Sequence, residues 1–284
     1  MEETVVWVNG HLRHPGEPVV SALDHGLTVG DGVFETCGVL GGKPFALSRH
    51  LERLTRSAVG LGLTPPDLEL VRAGVAAVLE GRTDLGRLRV TVTAGLGPPG
   101  SGRSPGSQTV VVIGAPAQPS ASSRVVRVPW VRNERSAIAG LKTISYAESV
   151  VALARAHEQG ADEALLANTA GDLCEGTGAN VFVERDGELL TPSLASGCLA
   201  GITRELVLEW SEQEALPVRE ARIGELPYSV LDDVGAGRAQ LALTGSVRTV
   251  VPVVELDGVP VEVGPLTLEV QRMYHEREAE QIDP

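Results

Sequence analysis

Residues 173–182 read LCEGTGANVF: an apolar pair, one glutamate, a short turn with two glycines, and then a run typical of a β-strand. The pattern places the carboxylate of Glu175 between an apolar segment and a turn. Such a glutamate could pair with a protonated ring nitrogen of a ligand. Taken alone, however, the segment favours a turn glutamate that faces water.

A lysine gives the second chemical signal. Of 24 basic residues, only Lys43 and Lys142 are lysine. Lys43 lies in a predicted turn between strands and is expected to be exposed, whereas Lys142 lies in the apolar stretch AIAGLKTI (137–144). A desolvated lysine has a lowered pKa and a nucleophilic neutral amine. The alternative is a structural lysine that extends from the edge of the core into water.

Two glycine-containing loops have the composition of a phosphate site. SGCLAGITR (196–204) leads into an amphipathic helix, whose first N–H groups attract anions, although Thr203 could equally be a simple N-cap. LTGS (243–246) is a similar loop after a strand. GLGPPG (95–100) has dinucleotide-binding spacing, but its prolines and the strand that follows exclude the helix this motif requires.

Composition narrows the class of protein. The chain has 284 residues, 43% of them hydrophobic, which is enough for one large or two moderate folded domains. A net charge of −13 argues against nucleic-acid binding. The three cysteines form no CxxC pair, so neither disulfides nor a zinc site are expected. Without a long apolar run or a secretory leader pattern, we expect a cytoplasmic protein with no membrane span.

Strand and helix patterns alternate along the whole chain and predict a mixed α/β or α+β fold. We expect an N-terminal α/β domain at 1–115, a linker at 116–123 and a C-terminal domain at 124–284. Strands are predicted at 5–8, 31–40, 88–93, 109–113, 125–129, 163–167, 180–184, 240–243 and 249–256. Helices are predicted after a cap at Ser48 and at 68–80, 146–159, 203–214 and 267–280.

Together these segments resemble the fold-type IV pyridoxal-phosphate enzymes. This family contains branched-chain and D-amino-acid aminotransferases, amine transaminases and aminodeoxychorismate lyases. The similarity extends from about Val6 to Gly258 and implies a small N-terminal α/β domain and a larger, β-barrel-like C-terminal domain. The motifs that carry it are GDGVFET (30–36), HLERL (50–54), GLK (140–142), EGTGANVF (175–182), GIT (201–203) and TGS (244–246).

The resemblance implies a role for each candidate residue. Lys142 would bind the cofactor pyridoxal 5'-phosphate covalently and then act as the acid–base group. Glu175 would hydrogen-bond the pyridine nitrogen and keep it protonated. Tyr146 lies near the position of a tyrosine that contacts the phenolate oxygen of the cofactor, with a spacing that differs by one residue. Arg53 would bind the phosphate, although its helix pattern alone predicts a solvated face. The phosphate would also be held by Ile202, Thr203, Gly245 and Ser246.

Substrate contacts are expected at Val29, Phe34, Thr36 and Arg103. The loop after residues 88–93 lacks the early arginines that bind a substrate carboxylate in lyases and D-amino-acid enzymes, and Arg103 could replace them. In the family a loop from a second subunit completes the pocket, so a homodimer is implied.

The resulting prediction is a class IV aminotransferase that moves an amino group between an amino acid or amine and a 2-oxo acid. The alternative is a 4-amino-4-deoxychorismate lyase, which would use the same lysine and release pyruvate and 4-aminobenzoate. A third hypothesis is a binding protein without cofactor on the same scaffold. The presence of Lys142, Glu175 and Arg53 together argues against that hypothesis.

Overall fold

The computed structural model describes residues 3–106 and 108–284. The chain divides into two compact units. Unit 1 consists of Met1–Gln118, Leu141–Tyr146 and Gln281–Pro284, and unit 2 consists of Pro119–Gly140 and Ala147–Glu280. The segment Leu141–Tyr146, here called the lysine segment, therefore belongs to unit 1. The predicted C-terminal domain at 124–284 had included these residues.

Unit 1 is built on an antiparallel sheet, for which the described residues supply six strands in the order β2-β1-β6-β5-β3-β4. The strands are β1 (Val5–Val8), β2 (His11–Arg13), β3 (Gly32–Leu40), β4 (Lys43–Pro44), β5 (Arg87–Thr93) and β6 (Thr109–Ala115). Alternate side chains, among them Val33, Leu88 and Val112, form the core on one face.

Three helices belong to unit 1 in the described chain: α1 (His25–Val29), α2 (Leu47–Gly60) and α3 (Leu68–Leu79). α2 packs on β3, and α3 packs on β1 and β6. The predicted Ser48 cap is wrong, because α2 begins at Leu47 after Ala46, whose backbone is left-handed and whose side chain caps nothing. The N–H and the hydroxyl of Ser48 donate instead to the carboxylate of Asp283, at 2.9 and 2.6 Å.

Unit 2 contains a mixed sheet of nine strands within the described residues. The order is β12-β11-β10-β13-β14-β7-β8-β9, with β15 on β14, and the sheet curls because β9 also contacts β10. The strands are β7 (Ser123–Arg132), β8 (Glu163–Asn168), β9 (Leu173–Gly176), β10 (Asn180–Arg185), β11 (Glu188–Thr191), β12 (Val218–Glu220), β13 (Gln240–Gly245), β14 (Thr249–Leu256) and β15 (Val259–Pro260). This curled sheet agrees with the barrel-like domain that the resemblance implies.

The helices of unit 2 lie within one or two residues of their predicted bounds where a prediction was made. They are α4 (Ala147–Glu158), α5 (Ile202–Gln213), α6 (Val230–Gly235) and α7 (Pro265–Glu280), with a short 3-10 helix at Leu194–Ser196. The sequence patterns missed the four-residue strands β9 and β11, the three-residue β12 and the six-residue α6, which are too short to show a period. In the described residues, no helix is long and apolar enough to cross a membrane.

Candidate active site

The backbone of Lys142 is fixed within unit 1 by hydrogen bonds on both sides. The N–H of Phe34 on β3 donates to the carbonyl of Lys142 at 3.0 Å, and the N–H of Ile144 donates to the carbonyl of Gly32 at 2.9 Å. The N–H of Lys142 donates to the hydroxyl of Ser57 on α2 at 3.1 Å. The lysine segment therefore lies along β3, which is why it belongs to unit 1.

Two aromatic rings surround the amine of Lys142. Its Nζ lies 4.3 Å from the ring centroid of Phe34 and 5.8 Å from that of Tyr146. The two rings meet edge to face, 5.1 Å apart at 80°. Aromatic faces attract the cation and also cover it against water. The structure thus brings together three residues that the sequence analysis placed at the site.

Arg89, which the sequence analysis missed, lies at the same ring. Its guanidinium carbon is 3.8 Å from the centroid of Phe34, and its Nε donates to Thr91 Oγ1 at 3.3 Å. Burial lowers the pKa of Arg89, and no carboxylate of the described residues forms an ion pair with it. The sequence RLRVTVT (87–93) alternates polar and apolar residues, and this alternation on a strand already indicated that Arg89 points away from the core.

The other three expected substrate contacts lie on different elements of unit 1. Thr36 is opposite Arg89 on the neighbouring strand and shares the face of Phe34. Val29 ends α1 and is 44% exposed. Arg103 donates from Nε and Nη2 to both oxygens of Asp31, at 2.7 and 2.6 Å, and also to two backbone carbonyls after α2. Its guanidinium already holds a carboxylate of the chain itself.

Arg53 is part of a buried ion pair. It is only 4% exposed, and its Nε and Nη2 donate to the two carboxylate oxygens of Glu35 on β3, each at 2.7 Å. His50 Nδ1 lies 2.6 Å from the same carboxylate. Burial alone would raise the pKa of Glu35, but the positive charge of Arg53 outweighs it and holds the pKa at about 2. The solvated face predicted from the helix pattern is therefore wrong for Arg53, since Glu35 neutralises the guanidinium inside unit 1.

In unit 2, the carboxylate of Glu175 is held on both oxygens. Its Oε2 accepts the N–H of Leu199 at 2.9 Å, and its Oε1 lies 3.1 Å from Arg132 Nε. Glu175 is buried within β9. A turn glutamate facing water, which the segment alone favoured, is therefore wrong. The residue needs its strong partners because an ionised carboxylate is costly to bury alone.

Asn180 connects the two expected phosphate loops. Its amide donates to the carbonyl of Leu199 at 2.8 Å, and its backbone pairs with Thr244 on β13. A Cβ on Gly201 would lie 2.0 Å from the amide oxygen of Asn180, so a larger residue there would displace this amide. Asn180 therefore contacts the loop before α5 through its side chain and the end of β13 through its backbone. The expected phosphate residues lie at these two places: Ile202 and Thr203 begin α5, Gly245 ends β13, and Ser246 follows it.

Polar groups at these loops suit an anion. Gly201, the N-cap of α5, contributes no side-chain hydrogen bond, so the N-cap position leaves the first N–H groups of this twelve-residue helix open to an anion. Thr203 is buried in the first turn of α5. Thr244 Oγ1 is buried, and none of the described residues hydrogen-bonds it. An orphaned hydroxyl beside an uncapped helix start fits a phosphate ligand.

Glu163 braces the turn between β9 and β10. Its carboxylate accepts the N–H of Thr177 at 2.8 Å and the hydroxyl of Thr177 at 2.5 Å, and Arg248 Nη2 donates to it at 3.3 Å. Glu163 is buried, so these bonds replace its hydration. Among the described residues, no group of His, Cys, Asp and Glu has the arrangement of a metal site.

Comparison with known proteins identifies the family. The family model described as amino-transferase class IV matches residues 32–256. A relative from Methanocaldococcus jannaschii that bears the name branched-chain-amino-acid aminotransferase is 31% identical, over 95% of this chain and 94% of its own. A bifunctional aminodeoxychorismate lyase / D-amino acid transaminase from Mycobacterium tuberculosis is 31% identical, over 72% and 77%.

Solved structures agree with the sequence relatives. A fold IV transaminase from Curtobacterium pusillum superposes with a TM-score of 0.79 at 31% identity, covering 95% of this chain and 98% of its own. The predicted α/β architecture and the predicted enzyme class are confirmed. The chain belongs to the class IV aminotransferases, a family of enzymes that depend on pyridoxal phosphate.

Proposed function

We propose that this enzyme binds pyridoxal 5'-phosphate through Lys142 and transfers an amino group between an amino acid or amine and a 2-oxo acid. The observation that carries the proposal is the position of the Lys142 amine, 4.3 Å from the Phe34 ring on a backbone held by β3 and α2. A fixed primary amine against apolar surface is what imine exchange requires.

The cofactor, when bound, supplies an aldehyde that condenses with amines and a ring that accepts electrons. Lys142 would hold the cofactor and would also move the proton at the substrate carbon. The ring of Tyr146 lies 5.8 Å from the amine, and its hydroxyl would contact the phenolate oxygen of the cofactor. Glu175 supplies a fixed negative charge for the ring nitrogen, and its bonds to Leu199 and Arg132 hold it in place.

For the phosphate, we propose Arg53 together with Ile202, Thr203, Gly245 and Ser246. The uncapped start of α5 and the orphaned hydroxyl of Thr244 support this assignment for the loops. In the case of Arg53, the ion pair with Glu35 fixes the guanidinium plane, so that binding an anion would cost little side-chain entropy.

We propose that Arg89 binds a carboxylate of the substrate, beside Phe34 and Thr36. It is a half-buried cation without a carboxylate partner in the described chain, at the same ring as the amine of Lys142. An arginine in such a place favours an anionic ligand. Val29 and Arg103 remain predictions as substrate contacts.

The assembly and the compartment also remain proposals. We propose a homodimer, as the family resemblance implies. Exposed apolar side chains of unit 2, such as Trp130, Val150 and Val151, support a surface that a second subunit would cover. Light scattering on the purified protein tests it, because a monomer at micromolar concentration would contradict the dimer. The acidic composition supports a cytoplasmic location.

Absorption spectroscopy tests the proposed function. The purified protein, supplied with the cofactor, should show visible absorbance that L- or D-amino acids or amines convert to the spectrum of the aminated cofactor without an acceptor. Lys142→Ala should lose the lysine-bound spectrum and all turnover, yet keep its circular dichroism. Lys43→Ala, at an exposed position on β4, is the matched control and should behave as the parent. Turnover retained in Lys142→Ala would overturn the proposal.

The second candidate activity is 4-amino-4-deoxychorismate lyase, because one relative is named for both activities. This reaction would use Lys142 for the same proton and expel pyruvate. The two activities share every proposed cofactor residue, so only products separate them. Stable absorbance that no amine donor alters, together with pyruvate release from aminodeoxychorismate, would favour the lyase.

A further inference from the structure

We infer that Arg132 is a positioning residue that keeps Glu175 ionised, so that the proton between Glu175 and the cofactor stays on the ring nitrogen. The inference rests on the proposed function, in which Glu175 faces that nitrogen. It assigns a task to a residue that neither the motifs nor the resemblance singled out.

The sheet of unit 2 brings the two side chains together. Arg132 ends β7 and pairs with Asn168 on β8, whereas Glu175 pairs with Leu166 on the same strand from the other side. β8 thus separates their backbones, and the side chains meet, with 3.1 Å between Arg132 Nε and Glu175 Oε1. Both side chains are largely covered, at 23% and 11% exposed.

The rest of the guanidinium faces α4. Its Nη2 donates to Ser149 Oγ at 3.4 Å, and its Nη1 lies 3.9 Å from the carboxylate of Glu148. Glu148 is 83% exposed, so water screens its charge, whereas Glu175 lies in the protein interior. Glu175 is therefore the carboxylate on which the charge of Arg132 acts most strongly.

The contact between the two residues is electrostatic rather than an aligned hydrogen bond. Arg132 Nε is buried and has no hydrogen-bond partner of acceptable geometry in the described residues, although Glu175 is only 3.1 Å away. Arg132 therefore supplies charge to Glu175, while the N–H of Leu199 supplies the directional bond. Together they fix the charge and the orientation of the carboxylate.

This arrangement decides where a shared proton rests. A carboxylate and a ring nitrogen that share one proton form either a charged pair or a neutral pair. A cation beside the carboxylate favours its ionised form and acts less on the more distant nitrogen. Arg132 thus favours the charged pair, in which the protonated ring can take up electrons from the substrate carbon.

The protonation state of the ring nitrogen tests the inference directly. The protein, in whichever oligomeric state it is purified, is stripped of cofactor and reloaded with pyridoxal phosphate that carries ¹⁵N in the ring. The ¹⁵N chemical shift of the bound cofactor is then measured. Arg132→Gln should change the ratio of protonated to unprotonated nitrogen by about tenfold or more in favour of the unprotonated form. Arg132→Lys keeps the charge and should retain most of the protonated form.

Arg124→Gln is the matched control, because Arg124 lies on the same strand and pairs with Asp162 at the surface. Arg124→Gln should leave the ¹⁵N shift unchanged. A general loss of stability should not change the shift either. An unchanged shift in Arg132→Gln would overturn the inference. If Arg132→Gln does not fold, Arg132→Lys decides the question. A ¹⁵N shift equal to that of the parent supports the role of the charge, whereas the shift of an unprotonated ring nitrogen overturns the inference.

Glu175→Gln separates this inference from the proposed function. If Glu175→Gln moves the shift and Arg132→Gln does not, the assignment of Glu175 stands and only the inference about Arg132 fails. If neither variant moves the shift, the assignment of Glu175 fails together with the inference, and if the parent binds no cofactor, the proposed function itself fails.

Discussion

Arg103 holds the carboxylate of Asp31 with two hydrogen bonds, from Nε to Oδ2 at 2.7 Å and from Nη2 to Oδ1 at 2.6 Å. The bonds from Arg103 are the main reason why the pKa of Asp31 lies below its ordinary value of 3.8. The same guanidinium donates to the carbonyls of Leu61 and Gly62. Arg103 therefore anchors its own loop to the start of β3 and to the end of α2.

Arg103→Gln should lower the free energy of unfolding by about 0.5–1 kcal/mol at pH 7, since the pair is partly exposed. The folded state lowers the pKa of Asp31, so the contribution is present above pH 3.8 and is lost as the pH falls through the folded value. Urea unfolding at pH 7 and near pH 2.5 checks this. A selective tenfold rise in KM for carboxylate substrates would instead support Arg103 as a substrate ligand.

Glu35→Gln should destabilise the protein by about 3–5 kcal/mol, because it leaves the charge of Arg53 buried without its partner. The pKa of Glu35 is depressed to about 2, so its stabilisation is full above pH 4.5 and is lost as the pH falls toward 2. Thermal unfolding at pH 7 measures the effect. Glu52→Gln, at an exposed position on α2, is the control and should have almost no effect.

In the same Glu35→Gln variant, the proposed role of Arg53 predicts weaker binding of pyridoxal phosphate. The guanidinium would lose the carboxylate that fixes its orientation. Titration of the apoenzyme should give a dissociation constant raised by about tenfold or more. Unchanged affinity in a folded variant would show that the phosphate is bound elsewhere.

Arg89→Gln should raise KM for amino acids and 2-oxo acids by about tenfold to a hundredfold, because a charged hydrogen bond to a carboxylate is lost. Amine donors that lack a carboxylate should react as before in the first half-reaction. Arg87→Gln is the matched control, as Arg87 is an exposed arginine on the same strand and face. Equal losses for amines and amino acids would contradict carboxylate recognition by Arg89.

Asp283→Ala should lower the free energy of unfolding by about 0.5–2 kcal/mol, the usual cost of a lost helix cap. Its carboxylate accepts the N–H and the hydroxyl of Ser48 at the start of α2. Asp67→Ala provides a standard, because Asp67 caps α3 in the ordinary way through Glu69 and Leu70. If Asp283→Ala costs nothing while Asp67→Ala does, the distant carboxylate is not a cap.

Glu278→Gln should stabilise the protein at pH 8 and have little effect near pH 4.5. Burial raises the pKa of Glu278 from 4.5 to about 7, so the folded state retains a proton that the unfolded state has released. Stability therefore falls as the pH rises from 4.5 to 7, and glutamine removes this loss. We expect a rise in Tm at pH 8 of about 1–3 °C, measured by scanning calorimetry. A gain of equal size at both pH values would show a packing effect.

Long periodic segments were predictable from the sequence, since a face of buried side chains repeats along them. α3, α5 and β14 lie within one residue of prediction or match it. Ser48 shows the limit of local patterns, because its partner Asp283 is 235 residues away and no window of sequence contains both. The same limit applies to Arg53, whose partner Glu35 comes from another element.

Residue type and setting drew attention to Lys142 and Glu175, and the family resemblance gave each its role, because the segment of Glu175 alone favoured a turn that faces water. Arg89 and Arg132 were missed because an arginine on a strand is common and only its neighbours show its purpose. For Arg89 the informative fact is the lack of a carboxylate partner in the described chain, and for Arg132 it is the 3.1 Å contact with Glu175. Such facts depend on pairing between strands, which the sequence does not display.

The lysine segment and the residues 281–284 have a consequence for biosynthesis. Unit 1 cannot be completed from the first 118 residues alone, since it also needs residues 141–146 beside β3 and the tail at α2. A ribosome adds about 5–20 residues each second. β3 and α2 therefore lack these contacts until the later residues have been synthesised. During that interval the emerging chain exposes the flank of β3 and the start of α2, and the amine of Lys142 reaches its place beside β3 late.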